Sequence, residues 1–444
     1  MIYQYPHLSA KVRLHQLPTG GMIEVNHMNA NADGNDLEYM DLNQTAYELC
    51  SQFCGIQTAE QVLESQCSKY GENKEDHRDW YEDMLQMLTG KQIVEWSDAP
   101  FRWDIITSGT NLFPTPLHAT IEITHKCNLR CEHCYLEASP EAEGIMSLTS
   151  FKNLCNQLYE RGVLTLEITG GEVFVHPEIR EMLEYALGKF KKIGLLTNGT
   201  LLKNEILELL DKYKNKIIIG ISLDSVHPKT HDQFRGRKGA FERTCKTIQL
   251  LAGRQLYVRV GMSIHPGNMW ELKEMAFLVK ELGAAAFSYN WVDDFGRGKH
   301  MMLEKNREEY RKFIDYEQEL IEEFRGLIPV VPYERKATSN CGAGWRSVLI
   351  DPNGNIRPCA LFPKEFSLGN IFKQTYEEIF DSKLVHTLWK VQSPRFSDAC
   401  QKDCPSRGYC GGCYLKGIHS NAKQETSCHW ITDNNLETVV VAMR

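Results

Sequence analysis

The chain has 444 residues, of which 42% are hydrophobic and 24% charged, and a net charge of -8. It is too long for one ordinary domain, and its balance excludes a disordered or fibrous chain. The acidic excess opposes a nucleic-acid partner, and no apolar run approaches the ~18 residues of a membrane span.

The N-terminus, Met1-Ile2-Tyr3-Gln4-Tyr5-Pro6, lacks a basic stretch followed by an apolar one, so no signal peptide is expected and the protein should be cytoplasmic. A reducing compartment changes the meaning of the 15 cysteines: there they bind metal or do redox chemistry rather than pair as disulfides.

Five segments separate by pattern: 1–97, a linker at 98–117, 118–300, a bridging helix at 301–336, and 337–444. The first opens with strand-like runs at Val12–Leu14 and Met22–Val25, then helical patterns at Gln44–Cys54, Ala59–Tyr70 and Asp76–Thr89. Short strands followed by three helices form a winged-helix pattern. Its generic use is DNA binding, but acidic residues outnumber basic ones here, which opposes phosphate contacts. Cys50, Cys54, Cys67, Cys155 and Cys245 lie on or beside helical stretches and read as core packing.

From Ala119 onward strands and helices alternate. Strands are predicted at Ala119–Thr124, Leu164–Thr169, Ile193–Thr197, Ile217–Leu223, Val258–Ser263 and Ala286–Trp291, with amphipathic stretches such as Leu148–Arg161, Glu178–Phe190 and Trp270–Leu282 between them. Six βα units in a row indicate an α/β fold with a parallel sheet, open or curved into a partial barrel. A charged helix follows at Glu304–Phe324. The last hundred residues, rich in Cys, Gly and Pro, show little periodicity, as expected where metal organises the chain.

Cys127-x3-Cys131-x2-Cys134 leaves the first of these strands. Three thiolates on one loop can hold three irons of a [4Fe–4S] cube and leave the fourth iron free for a small molecule. Zinc competes for the same thiols, with His125 or His133 as a fourth ligand. Barrel-like parallel folds collect their active sites at the C-terminal strand ends, and there the sequence places Gly170-Gly171-Glu172, Thr197-Asn198-Gly199 and Ser222-Leu223-Asp224-Ser225. Singly each reads as a turn or a cap; together they converge on one mouth.

The cysteine loop and the Thr169-Gly170-Gly171-Glu172 strand end resemble the radical S-adenosylmethionine (SAM) superfamily. The resemblance implies an iron–sulfur cluster on Cys127, Cys131 and Cys134 that binds SAM. Gly170, Gly171 and Glu172 would then contact the methionine amine, with Ser222 and Asp224 on the ribose and carboxylate side and Asn198 at the same mouth. Arg235 would reach the SAM carboxylate or else form a surface salt bridge. It further implies one-electron reduction by an external reductant, release of 5′-deoxyadenosine, and hydrogen abstraction from an unactivated C–H bond.

Seven more cysteines fall from Cys341 to Cys428: Cys341, then Gly354-x4-Cys359, Cys400-x3-Cys404-x5-Cys410-x2-Cys413, and Cys428. They exceed one site and fall one short of two four-cysteine clusters. A zinc knuckle at Cys410 and Cys413 is the competing reading. The array resembles the SPASM extension of radical SAM peptide-modifying enzymes, which holds two auxiliary [4Fe–4S] clusters, although the outer intervals of its middle group are exchanged here. By that resemblance Cys400, Cys404, Cys410 and Cys428 hold one cluster. Cys341, Cys359 and Cys413 hold the other, leaving an open iron for a substrate thiol.

The N-terminal segment is similar to the PqqD family, which captures the leader of a ribosomal precursor peptide as an added strand. The three-part order resembles sactisynthases, as do the segments Phe287–Gly298 and Pro358–Glu365. It implies thioethers between cysteine sulfurs and α-carbons of a bacteriocin precursor. Asp293 and Asp294 are candidates for lining the substrate site. A different radical SAM modification of a peptide, or a non-enzymatic zinc or iron–sulfur module, are the alternatives.

Overall fold

The computed structural model describes residues 4–26, 37–292, 295–301, 307–328, 340–398, 400, 413–422 and 428–442. The chain divides into two compact units, Met1–Thr115 and Pro116–Arg444.

The first unit contains β1 (Tyr5–Leu8), β2 (Val12–Leu17), β3 (Gly20–Asn26), β4 (Leu37–Leu42), α1 (Gln44–Cys50), α2 (Ala59–Tyr70), α3 (Arg78–Gly90), β5 (Val94–Ser97) and β6 (Thr107–Gly109). Its helices start where side chains satisfy their free N–H groups. Asn43 Oδ1 accepts from Ala46 N at 2.8 Å, and Thr58 and Gln61 form a reciprocal box at the start of α2, which ends on Gly71 at φ 69°. Leu14, Ile23, Phe53, Val62, Tyr81 and Leu85 form the core against which all three helices pack. The sheet order is β4-β3-β2-β6, with β1 and β5 paired separately. This is the expected winged-helix unit with more strand than the sequence suggested. Its β6 comes from the Pro-containing segment read as a linker and pairs parallel with β2.

The second unit carries β7 (His118–Glu122), α4 (Leu148–Glu160), β8 (Thr165–Thr169), α5 (Ile179–Lys189), β9 (Lys192–Thr197), α6 (Asn204–Lys212), β10 (Ile217–Ser222), α7 (Pro228–Arg235), α8 (Ala240–Gly253), β11 (Tyr257–Ile264), α9 (Leu272–Glu281), β12 (Ala286–Trp291) and α10 (Arg307–Glu323). The strands β7 to β12 neighbour one another in chain order and are parallel, the order of a partial (β/α)6 barrel. Alternation along each strand separates two environments. On β11, Val258, Val260, Met262 and Ile264 are buried, while Tyr257, Arg259, Gly261 and Ser263 are only partly covered. Each buried member contributes roughly 2 kcal/mol of apolar burial. All six expected barrel strands are present, within two residues of their predicted ends.

The C-terminal part is more regular than its composition suggested. β13 (Ser347–Ile350) pairs parallel with β7, and β14 (Asn355–Arg357) and β15 (Gly369–Asn370) continue the sheet antiparallel. The Asp351 carboxylate makes the intervening turn by accepting from Asn353 N and Asn355 N at 2.8 and 2.9 Å. The barrel sheet therefore runs on into the cysteine-rich region. Among the described residues no helix is long and apolar enough to cross a membrane.

A buried ion pair fastens this extension. The Nη2 atom of Arg357 on β14 donates to both carboxylate oxygens of Glu122 at 2.8 and 2.9 Å, and both side chains are almost fully buried. Removing one partner leaves the other charge uncompensated. Glu122→Ala is expected to lower the unfolding free energy by about 3–5 kcal/mol, measured as the shift of the denaturant midpoint.

Candidate active site

The loop after β7 carries the first three cysteines. Cys127 and Cys131 are buried, Cys134 half-buried, and none is in a disulfide. Donors surround the sulfurs: Leu129 N lies 3.4 Å from Cys127 Sγ, Ala138 N 3.4 Å from Cys134 Sγ, and Arg235 Nη1 3.7 Å from Cys131 Sγ. Burial nonetheless pushes the Cys127 thiol up to about 12 and raises Cys131 as well. Only a bound cation makes thiolates the stable form in such a place, so the donor set fits a metal cofactor. Among the described residues no three His, Cys, Asp or Glu side chains converge as they would around one ion. A cube, in contrast, takes each thiolate on a separate iron.

Opposite this loop lies the end of β8. Gly170 has φ 150°, and a Cβ on it would run into the Thr124 carbonyl; one on Gly171 would run into that of Lys126. The two strand ends close on each other through Gly171 N to Thr124 O at 2.7 Å and Glu172 N to Lys126 O at 2.9 Å. Only glycine permits that approach. Glu172 turns inward: its carboxylate accepts from Phe174 N at 3.0 Å, Thr197 Oγ1 at 2.8 Å and Asn198 N at 2.8 Å. It ties the end of β8 to that of β9. Asn198 holds Asn128 of the cysteine loop at 2.9 Å. Asp224 accepts from Ser263 N at 2.9 Å and from Arg235 Nε. Burial would raise the Asp224 carboxyl, but the Arg235 guanidinium outweighs it and holds the group below its usual range. Arg235 is itself buried, so its salt bridge is an interior one rather than the surface pair that was its alternative reading.

One cavity of about 430 Å³ gathers most of these groups. Cys127, Cys131, Cys134, Gly170, Gly171, Asn198, Ser222 and Arg235 line it; Glu172 and Asp224 stand behind its wall. Cys359 of the C-terminal region lines the same cavity. Burial pushes the Cys359 thiol up to about 12, and the neighbouring Cys413 and Cys341 add to the shift. Cys400 is buried and Cys428 precedes a short helix, His429–Asp433. Cys404, Cys410, Asp293 and Asp294 lie outside the described residues. Of the five cysteines read as core, Cys50, Cys67 and Cys155 are buried, and Cys54 and Cys245 half-buried.

Sequence reasoning missed the residue that clasps the loop. Arg297, just after β12, donates from Nε to Cys131 O at 2.8 Å and from Nη2 to Ala138 O at 2.9 Å, and its backbone N donates to Cys134 O at 3.1 Å. Gly296 before it has φ 53° and packs against the Cys134 and Tyr135 backbone. It lies in the Phe287–Gly298 segment that carried the family resemblance, but its Gly-Arg-Gly run gave no role for the arginine. His133 was considered as a zinc ligand. Its ring stacks on Phe234 with centroids 4.3 Å apart, and burial lowers its pKa to about 3.

A partial parallel barrel with three cysteines and a diglycine at its mouth is the architecture of radical SAM enzymes. Residues 121–279 match the Radical SAM superfamily and residues 341–414 the SPASM iron–sulfur cluster-binding domain. The chain is 57% identical over 439 residues, 98% of each chain, to the antilisterial bacteriocin subtilosin biosynthesis protein AlbA of Bacillus subtilis. It is 25% identical to the sporulation killing factor maturation protein SkfB of the same organism, over 67% of this chain and 73% of that one. Among solved structures, Streptococcus suis SuiB bound to S-adenosylmethionine shares the fold, with TM-score 0.64 and 17% identity over 95% of this chain and 98% of that one. The chain belongs to the radical SAM superfamily and, within it, to the SPASM-bearing family of AlbA. Its cofactors are SAM and [4Fe–4S] clusters.

Outer contacts of this kind set the loop that holds a cluster, and their loss typically costs 10- to 100-fold. Arg297→Ala should slow SAM-derived 5′-deoxyadenosine release by about tenfold or more and lower the iron retained per chain. Arg297→Lys should recover only part, since one ammonium cannot reproduce the planar two-carbonyl clasp.

Proposed function

We propose that this enzyme forms thioether crosslinks between cysteine sulfurs and α-carbons of acceptor residues in a ribosomally made, subtilosin-like precursor peptide. The observation that carries the reading is the near full-length identity of 57% to AlbA. The shared cavity of the cluster-loop cysteines and Cys359 supports it, since a thioether needs an abstraction site and a sulfur site within reach of one substrate. Cys127, Cys131 and Cys134 would hold the SAM-binding cluster. Gly170, Gly171, Asn198, Ser222 and Arg235 would face the SAM molecule, with Glu172 and Asp224 fixing the strand ends behind them. Cys341, Cys359 and Cys413 would hold one auxiliary cluster, and Cys400, Cys404, Cys410 and Cys428 the other. When bound, these groups supply hydrogen-atom abstraction from an unactivated C–H bond.

The chain's own residues supply position and charge. The buried Asp224–Arg235 pair keeps a fixed charge beside Cys131. The diglycine brings main chain, not side chain, to the cofactor. Polar contacts on the buried wall of the cavity are strengthened by the low local dielectric. An external one-electron reductant drives the reaction, no nucleic acid takes part, and the cytoplasm is the compartment that keeps these thiols reduced.

The first unit receives the leader peptide. Among the described strands β4 is an edge of its sheet. A groove of about 370 Å³ beside it is lined by Met40, Ala46, Trp80, Met84 and Met87, of which Trp80 and Met87 are 46% and 44% exposed. Main-chain pairing to β4 gives affinity, and the apolar groove accepts alternate leader side chains. Met87→Glu should weaken leader binding by about tenfold, roughly 1.4 kcal/mol, read by calorimetry with the precursor.

Reconstituted enzyme given dithionite, SAM and a cysteine-containing leader–core peptide is expected to remove two hydrogens per crosslink. Fragmentation should place the new bond on an α-carbon, with the joined thiol no longer alkylatable. Release of 5′-deoxyadenosine beside an unchanged peptide would overturn this choice of substrate and keep the radical SAM chemistry. A product joined at another carbon would move the enzyme to a different peptide modification.

A further inference from the structure

Thioether formation leaves a proton to be placed. The sulfur arrives as a thiol with an ordinary pKa near 8.5, so near neutral pH most of it must lose its S–H proton before or during bond formation. Among the described residues lining the 430 Å³ cavity, one side chain is a carboxylate, Glu167 on β8. It shares the lumen-facing register of Thr165 and Thr169, while Leu166 and Ile168 are buried on the opposite face.

The neighbouring strands make room for this carboxylate and connect it. Gly194, beside it on β9, has no side chain, and a Cβ there would lie 3.3 Å from Glu167 Cγ. On β7, Thr120 Oγ1 lies 3.5 Å from Glu167 Oε1, and His118 Nε2 lies 3.5 Å from the same hydroxyl. His118 Nδ1 lies 2.9 Å from Thr165 Oγ1. Separations of 3.5 Å are at the long limit of hydrogen bonding. Arg259 on β11 is the cation that faces Glu167, and burial raises the carboxyl against its pull and that of Thr120. Burial lowers His118 to about 4, so its ring is neutral near pH 7 and can pass a proton.

Apart from His133, which stacks on Phe234 and whose buried Nδ1 has no partner among the described residues, the other titratable groups of the cavity are committed. Tyr135 donates its hydroxyl to Glu122 at 3.0 Å. Arg235 and Arg297 are permanent cations, and Cys127, Cys131, Cys134 and Cys359 are the proposed cluster ligands, with His133 beside them.

We propose that Glu167 is the proton acceptor for the substrate cysteine, with Thr120 and His118 as the path by which that proton leaves. The inference rests on the thioether-forming reading of the enzyme. In this step the S–H bond of the substrate breaks, an O–H bond forms on Glu167, and no electron moves. The sulfur is left as a thiolate; when it joins the carbon radical left by breaking the acceptor C–H bond, one electron is released, which a bound iron–sulfur cluster would take up.

The test compares holoenzyme with its E167Q and E167D variants on the precursor peptide from about pH 6 to 9, measuring crosslinked product, 5′-deoxyadenosine and iron per chain. E167Q should retain iron and 5′-deoxyadenosine release yet lose crosslinking by about 100-fold near pH 7. Its residual rate should climb about tenfold per pH unit toward the thiol's own pKa, where the wild-type rate is flat. On the acid side the wild-type rate should fall as Glu167 is protonated, at a pH above the ordinary carboxylate range because its pKa is raised. E167D should keep the wild-type profile at reduced rate. Unchanged crosslinking by E167Q overturns the proposal. So does an equal loss at every pH, or a loss accompanied by missing iron, because either marks a merely structural carboxylate. Failure of the wild-type enzyme to make any thioether would instead strike at the function reading.

Discussion

A loop that carries three cysteines in eight residues has little apolar surface with which to hold its own shape, so its conformation is imposed by groups outside it. Gly170 and Gly171 meet its first residues backbone to backbone, Arg297 takes two of its carbonyls, and Glu132 N donates to Phe234 O at 2.9 Å. Lys364, from the C-terminal region, reaches Leu136 O at 2.7 Å. Contacts thus come from the ends of β8, α7 and β12 and from the cysteine-rich segment. Contacts from so many elements restrict the loop, and a restricted ligand set adds less reorganisation cost to cofactor binding than a floppy one. The same arrangement makes the site sensitive to elements distant in sequence, since Arg297 lies more than 160 residues after the cysteines it positions.

Two buried ion pairs frame the cavity, and neither is there to add stability. Taking charges out of water costs several kcal/mol per ion, and apolar replacements of similar shape are often as stable. What each pair supplies is direction. Asp224 points the Arg235 guanidinium at Cys131 Sγ, placing a permanent positive charge where thiolate charge must gather. Glu122 receives Arg357, Tyr135 and His125 together, so one carboxylate at the end of β7 fixes the cysteine loop and the C-terminal strand in a single network.

The barrel was legible because its signals are local. Strand ends carrying Gly170-Gly171, Asn198 and Ser222 recur at βα spacing, and the structure brings those residues to one cavity. Less legible were roles that depend on which way a side chain turns. The resemblance implied SAM contacts for Glu172 and Asp224; the sequence did not show that their carboxylates also accept from backbone and side-chain donors of neighbouring strands. Arg297 and Arg357 gave no periodic signal, because a long cation that bonds carbonyls or a distant carboxylate leaves no pattern in the residues around it. Strand β4 escaped for a related reason: Glu38 and Asp41 make an edge strand look like loop, since an edge exposes polar side chains that a central strand would not tolerate.

The continuation of the barrel sheet into the cysteine-rich region explains how two cysteine-bearing parts of the chain come to line one cavity. An open six-stranded barrel has a free edge at β7, and in this chain β13 occupies it in parallel register, Val348 beside Ala119 and Ile350 beside Ile121. A short turn at Asp351 then returns the chain antiparallel along β14, and Cys359 follows two residues after Arg357. Because Arg357 is anchored to Glu122, the position of Cys359 is counted from β7 by hydrogen-bonded backbone and one ion pair rather than by a flexible linker. The cysteine loop is counted from the end of the same strand. Both sets of thiols are thus referenced to one strand, β7. A cavity lined from both sides can then keep a fixed separation between the carbon and the sulfur of the proposed thioether, which effective-molarity catalysis requires.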